Sequence, residues 1–283
     1  MLAYQLLLPA AVTTALFGRF CSVGLLFLAM APAAVPPSSA AVFHRPIVKV
    51  GANKSNNWSG YNQGTLEKGG VQFHSVDGSW AVPTATQHKA GEAEFSATWV
   101  GIGGGCVDVG CTVTDATLIQ AGTSQDLDAS GRASYSAWWE IIPEPSTPIA
   151  NFPVNAGDAI HVAIAETTPG LWSITVQNQT SGQTFNVTTP YTSTYSTAEW
   201  IEETPVVISD SGAVTVGPLN TLSTVLFDHG LTNGKSAGLA VSEQIQLIDS
   251  NGAPLATPSA PDSDGDGFNV CTFAGSCSAP ASS

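Results

Sequence analysis

Positive charge is what this chain has least of. Only 8 of its 283 residues are Lys or Arg, against 22 Asp and Glu, for a formal net charge of −14. Nucleic acid and anionic membrane surfaces are bound through Lys/Arg patches, so both are excluded as partners. Charge of either sign is sparse: 11% of residues carry one, where an ordinary globular protein has about 25%. With few cations, protonating the carboxylates builds up little repulsion, a composition that suits an acidic medium. Two catalytic signatures are also missing. There is no Gly-x-Ser-x-Gly elbow, and the five histidines (His44, His74, His88, His161 and His229) form no His-x-x-x-His pair. Serine-hydrolase and zinc-hydrolase readings therefore have nothing to rest on. No stretch longer than a few residues carries a helical period, and no repeat recurs at a fixed spacing.

What is present is β-type sequence. Gly (28), Pro (18), many Thr and Val, and 43% hydrophobic residues describe a large core built from strands. Strand-like runs separated by turn signals fall at residues 71–83, 95–102, 116–122, 133–143, 160–164, 172–176, 183–188, 198–208, 213–216, 222–227, 237–248 and 268–273. About a dozen strands at this spacing mean a sandwich or a barrel. Val76-Asp77-Gly78-Ser79, inside the first run, reads as a hairpin or bulge.

Residues 1–41 are apolar and Ala-rich with the single charge Arg19, and read as a secretory signal, cut among the small residues before or at Ala41. Residues 42–56 read as a linker or short propeptide, 57–275 as the globular domain and 276–283 as a tail. Export agrees with the cysteines: Cys21 lies in the signal, and Cys106/Cys111 and Cys271/Cys277 are spaced for two local disulfides. Their spacing, with no nearby histidine, does not suit zinc. Asp262-Ser263-Asp264-Gly265-Asp266-Gly267 has the alternating oxygens of a calcium loop, but Phe273 stands where an EF-hand needs Glu. It reads as a turn before the last strand, with calcium left open. Asp210-Ser211-Gly212 matches half of an aspartic-peptidase signature, which needs two copies.

The densest chemistry lies in Ala198-Glu199-Trp200-Ile201-Glu202-Glu203, three carboxylates in five positions. Strand alternation puts Glu199, Ile201 and Glu203 on one face and Glu202 with Trp200 on the other. A carboxylate among apolar neighbours has its pKa raised, as a general acid or base requires. Gln120, inside Leu118-Ile119-Gln120-Ala121-Gly122, is an amide in an apolar run that must find partners. Trp138 and Glu140 share a face of Ala137-Trp138-Trp139-Glu140, and Trp99 lies in Thr98-Trp99-Val100-Gly101-Ile102. Together these describe a groove for an extended polymer.

These blocks, with Asn57-Trp58-Ser59-Gly60 and Gly78-Ser79-Trp80-Ala81-Val82-Pro83, occur in the order found in the glutamic peptidases (eqolisins), and the chain resembles a bacterial-type member of that family. The resemblance covers roughly residues 55–275. It implies an all-β fold, a two-sheet antiparallel β-sandwich of the concanavalin or jelly-roll kind, and a secreted acid endopeptidase without cofactor or metal. It implies a catalytic dyad of Gln120 and Glu203, with Glu203 rather than Glu202 in register, and a substrate cleft lined by Trp99, Trp138 and Glu140. Glu199 is a neighbour on the dyad's face that would raise the pKa of Glu203, and Glu202 is expected to be dispensable. Protein or peptide substrates, a monomer and no stable membrane association after signal cleavage follow from the same reading. Two departures stand out: Gly101-Ile102-Gly103-Gly104 replaces the Gly-Ile-Asp-Gly of fungal members, and Ser136 replaces an Asp of some members. Two other classes share the Trp-lined groove. A jelly-roll glycoside hydrolase would use Glu140 and Glu203 as its carboxylate pair, and a non-catalytic lectin would need neither.

Overall fold

The computed structural model describes residues 41–208 and 214–281. The predicted signal before Ala41 and the Asp210-Ser211-Gly212 match lie outside the described residues. The longer strands, in chain order, are β1 (Ala41–Phe43), β2 (Trp58–Gly64), β3 (Ser75–Ala81), β4 (Ala97–Gly103), β5 (Leu118–Leu127), β6 (Ala133–Ile141), β7 (Ala159–Thr168) and β8 (Leu171–Asn178). They continue with β9 (Gln183–Pro190), β10 (Thr197–Glu203), β11 (Val206–Ile208), β12 (Val214–Val216), β13 (Val225–Thr232), β14 (Gln244–Ile248), β15 (Pro254–Pro258) and β16 (Phe268–Thr272). The one helical turn among the described residues is a 3-10 turn, Val241–Glu243.

Two antiparallel sheets carry the fold. The first runs β6-β5-β4-β10-β2-β14. The second runs β9-β8-β7-β3-β13-β16-β15-β14. Strand β14 belongs to both: Gln244 and Ile245 pair with β2, Leu247 and Ile248 with β15. The sandwich is thus a continuous sheet folded over at one edge. A small third sheet, β1-β11-β12, stands beside it.

Period-two alternation decides what lies between the sheets. Val100, Ile102, Ile119, Ala121, Ala198 and Trp200 of the first sheet meet Trp80, Ile160, Val162, Ile174 and Phe227 of the second, all buried. A fully buried side chain of this size contributes about 1.5–3 kcal/mol. Gly78 lies in mid-strand, not in the turn its sequence suggests. A Cβ there would come within 2.6 Å of Val100 Cγ1 and 2.9 Å of Trp200 Cδ1, so the glycine makes room for the other sheet. The irregularity sits on the partner strand, between Asp228 and Leu231. The expected strand over 237–248 is also shorter than its apolar run. Gly238 takes φ +57, and Glu243 folds back to accept the Ala240 N–H at 2.8 Å, so pairing begins only at Gln244. Both local disulfides form, Cys106–Cys111 and Cys271–Cys277.

Candidate active site

The outer face of the first sheet is not solvated. Trp58, Ala97, Trp99, Leu118, Trp138 and Ile201 make a second buried cluster there. In it the alternation of four adjacent strands sets Glu199 and Glu203 (β10), Trp99 (β4), Gln120 (β5), and Trp138 and Glu140 (β6) side by side. Gln120 is directly opposite Glu140, and its Nε2 donates to Glu140 Oε2 at 2.6 Å. Gln120 Oε1 is buried with no hydrogen-bond partner. Burial pushes the Glu140 carboxyl up to about 7; His44 opposes, Glu203 adds, and the bond from Gln120 opposes.

Glu203 is fully buried and receives four donors. Trp99 Nε1 at 2.9 Å and His44 Nδ1 at 3.0 Å reach Oε2, while the Arg45 N–H at 3.3 Å and Asn57 Nδ2 at 3.5 Å reach Oε1. Two of these donors come from the stretch that the sequence presents as a linker. His44 is 4% exposed and lies flat on Trp138, with ring centroids 3.9 Å apart and 15° between the planes. Burial works against a charge on His44, but the Glu203 carboxylate, its hydrogen bond, and the more distant Glu140 and Asp126 outweigh it and raise the imidazole above 6.5. The position beside Glu203 thus favours the charged form of His44.

Residues 41–49 are fastened across the cleft. β1 pairs with β11, just beyond Glu203. The Ile47 N–H donates to Gly104 O at 2.9 Å, the Val48 N–H to Asn57 Oδ1 at 2.7 Å, and Lys49 Nζ to Cys111 O at 2.6 Å. Beside it remains a cavity of about 420 Å³, lined by Phe43, His44, Arg45, Glu140, Ile142 and Val206 among others.

The face thus holds a buried glutamine hydrogen-bonded to Glu140 and, in the same tryptophan-lined cluster, a multiply bonded Glu203. A sequence model described as the Peptidase A4 family matches residues 56–266. The chain belongs to that family, the glutamic peptidases. Among Peptidase A4 relatives it is 26% identical over 188 residues to aspergillopepsin-2 of Aspergillus niger, covering 57% of this chain and 62% of that protein. It is 29% identical over 114 residues to scytalidopepsin B of Scytalidium lignicola, covering 40% of this chain and 38% of that protein. The chain therefore matches less than two thirds of the length of either relative. Scytalido-glutamic peptidase, solved with a transition state analog inhibitor, superposes with a TM-score of 0.59 at 22% identity, over 77% of this chain and 98% of that one. At that identity the likeness speaks for the β-sandwich fold alone.

Within this Peptidase A4 chain, Trp99 and His44 bond to Glu203, His44 stacks on Trp138, and Gln120 bonds to Glu140. Glu199 shares their face and lies level with Gln120 across Gly101, whereas Glu203 lies level with Ala97 and Ser124. Glu199 is fully buried four positions before Glu203, under the loop after β4, where a Cβ at Gly105 would lie 2.7 Å from its Oε1. Burial raises its pKa well above 4.5, opposed by the Thr197 hydroxyl and reinforced by Asp115. Glu202 faces the other way and accepts the Thr98 hydroxyl at 2.6 Å; burial pushes it up to about 8. At Gly103, where fungal members carry Asp, φ is +94 and a Cβ would fall 2.1 Å from Thr117 O, so this backbone has no place for that side chain.

Sequence reasoning missed two participants. Asp126 continues the Gln120 face of β5, and burial raises it to about 6; the same alternation that placed Gln120 points to it. His44, beside Arg45 and Pro46, had only rarity as a signal in a chain of five histidines and eight bases.

Proposed function

We propose that this chain is a secreted acid endopeptidase in which Gln120 and Glu203 activate a water for attack on a peptide bond. The observation that carries the reading is the convergence of Gln120, Glu140 and Glu203 on one tryptophan-lined face, covered by a peptide segment. Glu203, as carboxylate, takes a proton from the water as its oxygen bonds to the scissile carbonyl carbon. The Gln120 amide N–H stabilises the oxyanion, a role worth about 10²–10³ in rate. Glu203 then returns the proton to the leaving nitrogen as the C–N bond breaks, with no covalent intermediate.

Glu140 is the positioning partner. Ionised, it holds Gln120 Nε2 to itself. Protonated, below about 7, it becomes a donor suited to Gln120 Oε1. A half-turn about the last amide torsion then leaves Nε2 facing the cleft, where the oxyanion forms. Acid thus arms the glutamine.

The cleft in this form is filled by the chain itself. His44 and the Arg45 N–H occupy the oxygens of Glu203 that a water and substrate need. Residues 42–48 must leave before turnover, in keeping with a propeptide. Departures from the fungal pattern at Gly103 and in the Cys106–Cys111 pair accompany the reading of a bacterial-type member. The enzyme would act on protein or peptide substrates as a monomer, without stable membrane association after its signal is removed.

The test is acid hydrolysis of denatured protein and, in parallel, of polysaccharide by the secreted protein, with its N-terminus mapped by mass spectrometry. Proteolysis that disappears in folded Glu203→Gln and Gln120→Ala variants is expected. Wild-type proteolysis in either variant overturns the dyad. Polysaccharide hydrolysis that survives Gln120→Ala would instead assign Glu140 and Glu203 to a glycosidase.

A further inference from the structure

The second sheet has its own gathering of carboxylates, far from the dyad in kind. One ligand oxygen each from Asp228, Asp262 and Asp266 lies within 4.8 Å of the others. Asp228 is on β13, at the irregularity before Leu231. Asp262 and Asp266 belong to the Asp262–Gly267 turn, whose alternating acids suggest a calcium loop lacking its last ligand. The fold supplies from a neighbouring strand what the turn lacks: Gly230 N donates to Asp266 O at 2.8 Å and brings Asp228 to the loop.

An acidic cluster alone is common on a surface, but this one holds oxygens that nothing satisfies. Asp262 is 9% exposed. Its Oδ1 accepts the N–H groups of Gly265, Asp266 and Gly267 at 2.9, 3.2 and 3.2 Å, which fixes the carboxylate. Its Oδ2 is buried without a hydrogen-bond partner, as is Asp266 Oδ1. An ionised oxygen buried and unpaired is costly. Position 267 also keeps a space open: a Cβ there would stand 2.4 Å from Asp262 Oδ2 and 3.2 Å from Asp228 Oδ1. Carboxylate oxygens from three aspartates thus face one point.

We propose that Asp228, Asp262 and Asp266 bind one calcium ion, which pins the Asp262–Gly267 turn to β13. The donors are carboxylate oxygens, the chemistry of a hard cation, and water completes the shell. The ion stabilises the fold by joining the Asp262–Gly267 turn to the strand that carries Asp228.

The experiment uses the full secreted chain after exhaustive chelation at pH 7. Added calcium should bind at one equivalent by calorimetry, with a dissociation constant of about 10⁻⁴ M or tighter, and raise the melting temperature by about 5–10 °C at saturation. Terbium should show luminescence sensitised by Trp200, whose Cε2 lies 3.3 Å from a Cβ built on Gly230. Asp262→Asn, which keeps the Oδ1 acceptor, and Asp228→Asn should each weaken binding by at least tenfold. No saturable binding by the folded wild type at pH 7 overturns the site. Equal binding by wild type and both variants overturns it as well, the ion then being an adventitious one only.

Discussion

Glu202 and Glu203 are adjacent on one strand, and both are fully buried. Their fates differ because of which face each side chain takes. Glu202 points between the sheets, meets the Thr98 hydroxyl, keeps one oxygen without a partner, and is pushed up to about 8 by burial. Glu203 points into the cleft, where ring, amide, backbone and imidazole donors converge on it. Burial alone makes a carboxylic acid neutral. Burial with donors supports the ionised form instead. One residue of register separates an acid facing the core from the one proposed as the base.

The sharpest way to break the comparison is to remove each acid in turn. Glu203→Gln should lower acid proteolysis by at least 10³-fold without unfolding the protein, whereas Glu202→Gln should stay within a few-fold of wild type. Equal losses in kcat/KM would erase the distinction. Gln120→Ala should cost about 10²–10³ in kcat with little change in KM. Next comes the covering segment. His44→Ala removes a stacked, charged donor from Glu203, and the unprocessed chain should then bind a peptide transition-state analogue at least tenfold more tightly. Unchanged binding would mean that the segment is not the barrier.

Stability against pH tests the other half of the comparison. Glu202, Glu140 and Asp126 have folded pKa values raised to about 8, 7 and 6. The folded state therefore holds protons that the unfolded chain releases near 4–4.5. Their stabilising effect is full below that value and is lost as pH climbs through 6 to 8. His44, also raised, acts in the same direction. The melting temperature should fall steadily from pH 4 to pH 9. Glu202→Gln should flatten the upper part of that fall, by up to the order of 4 kcal/mol.

Much of this was legible because it is periodic. Alternation alone separated Glu202 from Glu203 and set Gln120, Trp138 and Glu140 on common faces, and the order of six short blocks pointed to the family. What was not legible depends on partners far away in sequence. Asp77-Gly78-Ser79 has the local chemistry of a turn, yet Trp200 decides its conformation from the opposite sheet. His44 meets Glu203 across 159 positions, and no pattern in a short Pro-containing stretch announces that. Asp228 belongs to the Asp262 turn only because the strand before it lies alongside β16.

The fastening of the N-terminal segment has an electrostatic consequence at longer range. Residues 1–48 contain Arg19 and Arg45 and no Asp or Glu, so their removal takes the remaining chain from −14 to −16. A cationic peptide then leaves an anionic body. Were the segment cut away, the opposite charges near neutrality would favour its return to the body. Ionic strength is then a lever separate from acidity: salt shortens that field to about 8–10 Å and weakens the hold on the peptide, which carries the His44 and Arg45 donors of Glu203 away with it.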